Sequence, residues 1–174
     1  MARIRTVRTT PSGVRRRGPM TFARGACALG AAALVGVAGW SVAQNFRAEP
    51  IYGHVNLGAG FTPDPWVLEL TAGGATLASE LRLPPACRGH INPDAPHVSL
   101  NYTAGRHPLQ IYVHSTADTT LIVNDPAGNW RCDDDSILLN PALRFAPAQS
   151  GQYDIWVGSI RPGLVRATLH ITER

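Results

Sequence analysis

Hydrophobic and polar positions alternate with a period of two along much of this chain. The clearest run is Val165-Arg166-Ala167-Thr168-Leu169-His170-Ile171, whose odd positions are apolar and whose even positions are polar. That alternation predicts a strand with one face buried. Trp66 to Thr71 alternates likewise, with Trp66, Leu68 and Leu70 on one face, and Leu109 to His114 turns Leu109, Ile111 and Val113 inward. His97 to Tyr102 follows the same rule. In Gln152 to Gly158, Tyr153, Ile155 and Val157 point inward, which sets Asp154 and Trp156 outward. No amphipathic period of helical length is evident from Ile51 onward.

Shorter candidate strands fill the remainder: Tyr52–Leu57, Ala75–Leu83, Asp118–Asn124, the run Asn129–Cys132, and Ala142–Phe145. Turn residues separate them, at Gly58-Ala59-Gly60, Pro63-Asp64-Pro65, Ala72-Gly73-Gly74, Ala104-Gly105, Asp125-Pro126-Ala127-Gly128 and Ser150-Gly151. Pro presets φ, Gly supplies positive φ, and Asp125 accepts from the turn backbone. Cys87 to Pro96 reads as an irregular connection. Seven to nine strands in residues 51–174 predict an all-β fold, an antiparallel sandwich or jelly roll.

Charge divides the chain. All 16 basic residues are Arg, and seven of them precede residue 25. From Gln44 onward there are 9 Arg against 12 Asp plus Glu, a balance of −3. The basic character therefore belongs to the N-terminus, which argues against a nucleic-acid partner for the domain. The apolar run Gly25 to Gly39 follows the Arg-rich stretch, and Ser41-Val42-Ala43 sets small residues where a signal peptidase cuts. Residues 1–43 thus read as an export signal cleaved after Ala43, with no stable membrane span in the mature chain. An uncleaved anchor is the alternative. Either Met1 or Met20 serves as the start, and Arg16-Arg17 lacks the Phe-Leu of a twin-arginine signal. Residues 44–50 form a short linker ahead of the domain at 51–174. The predicted location is periplasmic or secreted.

Cys27 leaves with the signal, so the mature chain keeps Cys87 and Cys132. In an exported protein such a pair predicts one disulfide, with Trp130 beside it as a shield. Metal ligation by the two thiolates is the lesser reading, since no CxxC spacing is present.

Asp118-Thr119-Thr120-Leu121, Asp125-Pro126-Ala127-Gly128, Asp133-Asp134-Asp135 and Gly151-Gln152-Tyr153-Asp154-Ile155-Trp156-Val157 occur in that order. The succession resembles the bacterial pre-peptidase C-terminal domain, a small β-sandwich, over about 60 residues. The resemblance implies a non-catalytic module of exported enzymes, with a calcium-assisted fold in some members.

Three adjacent carboxylates repel one another unless solvated or bridged by a hard cation such as Ca²⁺. Asp133, Asp134 and Asp135, with Asp118 and Asp125, are therefore the candidate calcium ligands, and a solvated acidic loop is the alternative. Trp156 with Asp154, and Tyr112 with His114, are candidate ligand-binding pairs, because an exposed aromatic beside polar groups stacks on a sugar or grips a peptide. The alternative for Trp156 is a place under a long loop. Six scattered histidines show neither HExxH nor His-x-His spacing, and no Gly-x-Ser-x-Gly elbow is present. These readings favour an exported non-catalytic binding or accessory module with a protein or glycan partner at the cell envelope. A secreted hydrolase, labelled a peptidase, is the alternative.

Overall fold

Strands in the computed structural model follow the alternation closely. The structure describes residues 45–174, so the predicted signal, its cleavage after Ala43 and the choice between Met1 and Met20 lie outside the described residues. The described residues form eleven strands: β1 (His54–Gly58), β2 (Trp66–Gly74), β3 (Thr76–Leu77), β4 (His90–Ile91), β5 (Val98–Thr103), β6 (Leu109–His114), β7 (Thr119–Asn124), β8 (Trp130–Asp133), β9 (Ala142–Phe145), β10 (Gly151–Ser159) and β11 (Gly163–Thr172). The 3₁₀ turn Ala78–Glu80 is the one helical piece among the described residues. No helix there is long and apolar enough to cross a membrane.

Two sheets form the sandwich. In the first, β10 is central, with β5 on one edge and β7 on the other; β1 flanks β5, and β8 flanks β7. Beyond the end of β5, β4 takes over the same edge of β10 and carries β3. The second sheet runs β2-β11-β6-β9. All pairs are antiparallel except β1 with β5. The main core lies between the sheets, where Leu100, Ile111, Val123, Ile155, Leu169 and Ile171 are fully buried. Each such aliphatic side chain contributes roughly 1.5–3 kcal/mol by leaving water. Tyr153 enters the same core, and its hydroxyl is satisfied by the Gln149 carbonyl at 2.8 Å and the Gln149 N–H at 3.0 Å.

The strand count exceeds the expected seven to nine because the irregular 75–96 segment contributes two-residue strands. Ala75–Leu83 does not form one strand: Thr76–Leu77 pairs with β4, and the chain then coils into the 3₁₀ turn. Nor does Ala72-Gly73-Gly74 make a turn. It continues β2, and a Cβ at Gly74 would collide with the Ile91 backbone, so that glycine serves close approach of β4 rather than reversal. The lead-in is held down at Asn45, whose N–H donates to the Pro93 carbonyl at 2.9 Å.

The 75–96 segment folds over the outer face of the first sheet. Beneath it Ala78, Leu81, Cys87, Ile91, Ile122 and Trp156 form a second, smaller core. The predicted Cys87–Cys132 disulfide is present, with Cα atoms 5.1 Å apart, and ties this cover to β8. Trp130 packs against the same cluster, its ring 5.3 Å from that of Trp156.

A buried histidine braces the two sheets. His97 accepts the Val157 N–H on Nδ1 at 3.2 Å and donates from Nε2 to the Thr71 carbonyl at 3.1 Å. Tyr52 stacks on its ring and donates nothing to it; its hydroxyl accepts the Thr71 N–H at 2.8 Å. The two side chains thereby cap one position on the free edge of β2. Burial lowers the His97 pKa from 6.5 to about 4. Between those values the unfolded chain binds a proton that the folded chain refuses. Stability from this residue is therefore complete above pH 6.5 and declines as pH falls toward 4, by about 3 kcal/mol in all. Urea unfolding at pH 7 and pH 4.5 measures this loss, and His97→Gln is expected to flatten the slope.

Candidate functional site

The disulfide-bearing strand β8 ends at Asp133, and the chain re-enters the sandwich at Ala142 in β9. Asp133 closes the intervening loop. Its Oδ2 accepts the Ser136 N–H at 3.1 Å and the Ala142 N–H at 2.8 Å. Inside, Ile137 and Asn140 exchange backbone hydrogen bonds of 2.9 and 3.0 Å, which places Leu138 and Leu139 at the tip of a two-residue turn. The C-terminal arm of the turn is fixed to the body. Thr119 N–H donates to the Leu139 carbonyl at 3.2 Å, and Ser115 N–H to Asn140 Oδ1 at 2.8 Å.

Leu138 has φ 58°, and it is the one non-glycine residue with positive φ among those described. At the first central position of such turns glycine is the usual occupant, because a Cβ crowds the backbone there. The Leu138 side chain is 87% exposed, with Ile137 at 51% and Leu139 at 52%. Among the other large exposed hydrophobics of the described residues only Ile51 and Tyr52 are adjacent in sequence, and both are less exposed than Leu138; here three are consecutive. The loop thus holds an aliphatic tip on a hydrogen-bonded frame.

Asp118 precedes Thr119, which bonds to the turn, and Asp134 and Asp135 lie within the loop itself. Asp118 is half-buried, and its Oδ1 has no hydrogen-bond partner. Burial raises the Asp118 pKa, the Asp135 and Asp134 carboxylates raise it further, and Arg161 opposes them. Asp135 is exposed. The Arg88 guanidinium stands 3.9 Å from Asp134, a surface pair that contributes little.

The five carboxylates predicted to hold calcium do not converge. Among the described residues no three His, Cys, Asp or Glu side chains form a group able to hold a metal ion. Asp125 Oδ1 is engaged by the Ala127 N–H at 3.0 Å and the Asn129 N–H at 2.9 Å, closing its own turn, and Asp133 is committed to the loop frame. Each of these two carboxylates has an oxygen already accepting from backbone. Excess Ca²⁺ and chelator are accordingly expected to give the same melting temperature within about 1 °C, measured by scanning calorimetry.

The predicted ligand-binding pairs separate. Trp156 and Asp154 do face away from the main core, but that face is covered. Trp156 is fully buried in the second core, and Asp154 is buried with its Oδ1 accepting from Ser99 Oγ at 2.5 Å and Gln152 Nε2 at 2.8 Å. Neither is open to a ligand. Tyr112 and His114 lie on the solvent face of the second sheet. The Tyr112 ring stacks on His170 at 4.5 Å, and His114 borders a shallow depression of about 480 Å³ with Glu69, Thr71, Arg166 and Thr168. Burial, and then His114, lower the His170 pKa. Ile137, Leu138 and Leu139 escaped the sequence reading, although three successive aliphatics between Ser136 and Asn140-Pro141 interrupt the alternation.

No family profile matches the chain, and no curated protein matches it. Among solved structures, the crystal structure of Aeromonas hydrophila PliG, a periplasmic lysozyme inhibitor of g-type lysozyme, aligns over 72% of this chain and 98% of its own at 11% identity and a TM-score of 0.35.

Proposed function

We propose that this chain is an exported, non-catalytic binding module that engages a protein partner through the Ile137–Leu139 turn. The disulfide supports an oxidising compartment such as the periplasm or the exterior. The resemblance to the pre-peptidase C-terminal domain supports a non-catalytic role. One observation carries the reading: Leu138 is 87% exposed, at a backbone angle that favours glycine, on a loop tied to the body along its C-terminal arm. An aliphatic tip already fixed in shape loses little conformational entropy on docking, which favours affinity.

Leu138→Asn removes the apolar tip and keeps the turn, because Asn tolerates positive φ. Immobilised mature chain is expected to retain a partner from the exported proteins of the producing organism, and the Leu138→Asn variant to lose it. Identical retention by the two would sink the reading.

A further inference from the structure

Strand β8 is an outer strand of the first sheet and β9 an outer strand of the second, and a cleft of about 340 Å³ is lined from both. Along β8, Trp130 and Cys132 pack against the second core, so Arg131 between them faces the second sheet. Its guanidinium stands 5.5 Å from the centre of the Phe145 ring, which holds the charge at the wall of the cleft. Along β9, Leu143 and Phe145 are buried, and the exposed Arg144 between them lines the same space. Neither arginine is ion-paired. Among the described residues the arginine pairs with carboxylates are Arg88 with Asp134 and Arg174 with Asp64. The one carboxylate in the lining is Asp125, and it is engaged elsewhere: Oδ1 accepts from the Ala127 and Asn129 N–H groups and Oδ2 from the Asn129 side-chain amide at 3.3 Å. The Tyr153 hydroxyl, also in the lining, is satisfied by Gln149. Two guanidiniums against one engaged carboxylate leave the cleft positive, in a domain whose overall balance is −3.

From this geometry we propose that the cleft between β8 and β9 binds an oxyanion, a carboxylate or a phosphate monoester, carried on a compact organic body. The planar guanidinium fork matches the paired oxygens of either group. Two like charges lining one cleft repel, and a bound anion relieves that repulsion. Phe145 and Pro147 offer the body an apolar wall, and a space of about 340 Å³ takes roughly one sugar or amino-acid residue. Arg131 by itself has a simpler role, because an inward-pointing charge on an edge strand deters edge-to-edge pairing. That role does not call for Arg144 in the same cleft, and a binding measurement separates the two. Ile137, Leu138 and Leu139 do not line the cleft, so the site stands independently of the docking turn.

The test is a titration of the isotope-labelled mature chain, followed by the amide resonances in nuclear magnetic resonance spectra. The probes are glucuronate, phenylacetate and phenyl phosphate, each beside its uncharged counterpart: glucose, phenylacetamide and phenol. The anions are expected to shift the amide signals of Arg131, Phe145 and Gln149, and the uncharged compounds to leave them in place. Arg144→Gln alters an exposed position and leaves the core intact; it is expected to weaken binding about tenfold, as for one charge-assisted hydrogen bond. Arg131→Gln, with its circular dichroism unchanged, is expected to do the same. Arg166→Gln, which borders the depression on the second sheet instead, is expected to leave the affinity within about twofold. A response to the carboxylates alone, or to the phosphate alone, supports the site and identifies the group it takes. The proposal is overturned if no anion shifts these signals at up to about 10 mM, or if the uncharged counterparts shift them equally. Binding that is indifferent to Arg144→Gln, or weakened as much by Arg166→Gln, overturns it too.

Discussion

Trp156→Ala is expected to lower the unfolding free energy by about 3–5 kcal/mol, the range for emptying a buried aromatic site. Trp156 lies on β10, the strand that joins β5 and β4 on one edge to β7 on the other. It is fully buried, and it is the largest side chain of the second core. Its neighbours include Ile122 from β7, Ile91 from β4 and the ring of Trp130. These groups are pinned by the sheet and by the disulfide, so they collapse poorly into the space left behind. A close-packed interior with that freedom removed is where the cavity contribution is largest. Guanidinium unfolding followed by far-ultraviolet circular dichroism measures the loss. Trp156→Phe, which keeps most of the apolar volume, is expected to lose much less. A change below about 1 kcal/mol for alanine would mean that the 75–96 segment does not cover the sheet.

Loss of the Cys87–Cys132 bond is expected to lower stability by about 2–4 kcal/mol. The bond closes a loop with a sequence separation of 45 residues, for which the chain-entropy relation gives roughly 4 kcal/mol as an upper value. The same bond holds the 75–96 cover against β8, so its removal also loosens the layer over Trp156. Replacing both cysteines by serine is therefore expected to shift tryptophan emission to longer wavelength before global unfolding. Because Trp156 and the cysteines belong to one cluster, the triple variant should lose less than the sum of the separate losses. Equal stability with and without the bond, within about 0.5 kcal/mol, would contradict this account.

The main sandwich was largely legible from the sequence. Leu109–His114 and Ala142–Phe145 match β6 and β9 residue for residue, because each alternates and is bounded by turn residues. The cysteine pair was legible for a chemical reason, two thiols left once the predicted export signal is set aside. Trp156 shows where alternation stops being informative. A period of two assigns a side chain to a face, but it does not say whether that face is covered. The cover comes from a segment rich in loop residues, with Pro84-Pro85 and no period of its own. The carboxylates failed as a calcium set for a related reason. Adjacency in sequence does not make oxygens converge, and Asp125 and Asp133 were spent on local backbone donors. Leu138 was missed because the usual sequence signal for positive φ is Gly or Asn, and neither is present. Its exposure had no signal either, since a run of aliphatics reads as buried until the fold shows otherwise.

That misfit at position 138 is also the basis of the functional reading. A leucine that lies almost wholly in solvent at positive φ adds little to the core, yet it carries the backbone cost of its Cβ. Residues that reduce stability at a binding surface are a recurrent feature of functional sites. The most direct test is denaturant unfolding of Leu138→Asn beside the unaltered domain. The account predicts that the variant is more stable by about 1 kcal/mol, because the turn is kept, the crowding is relieved and no buried contact is lost. A variant equally stable or less stable would show that Leu138 serves the fold, and the docking role assigned to the turn would lose its foundation.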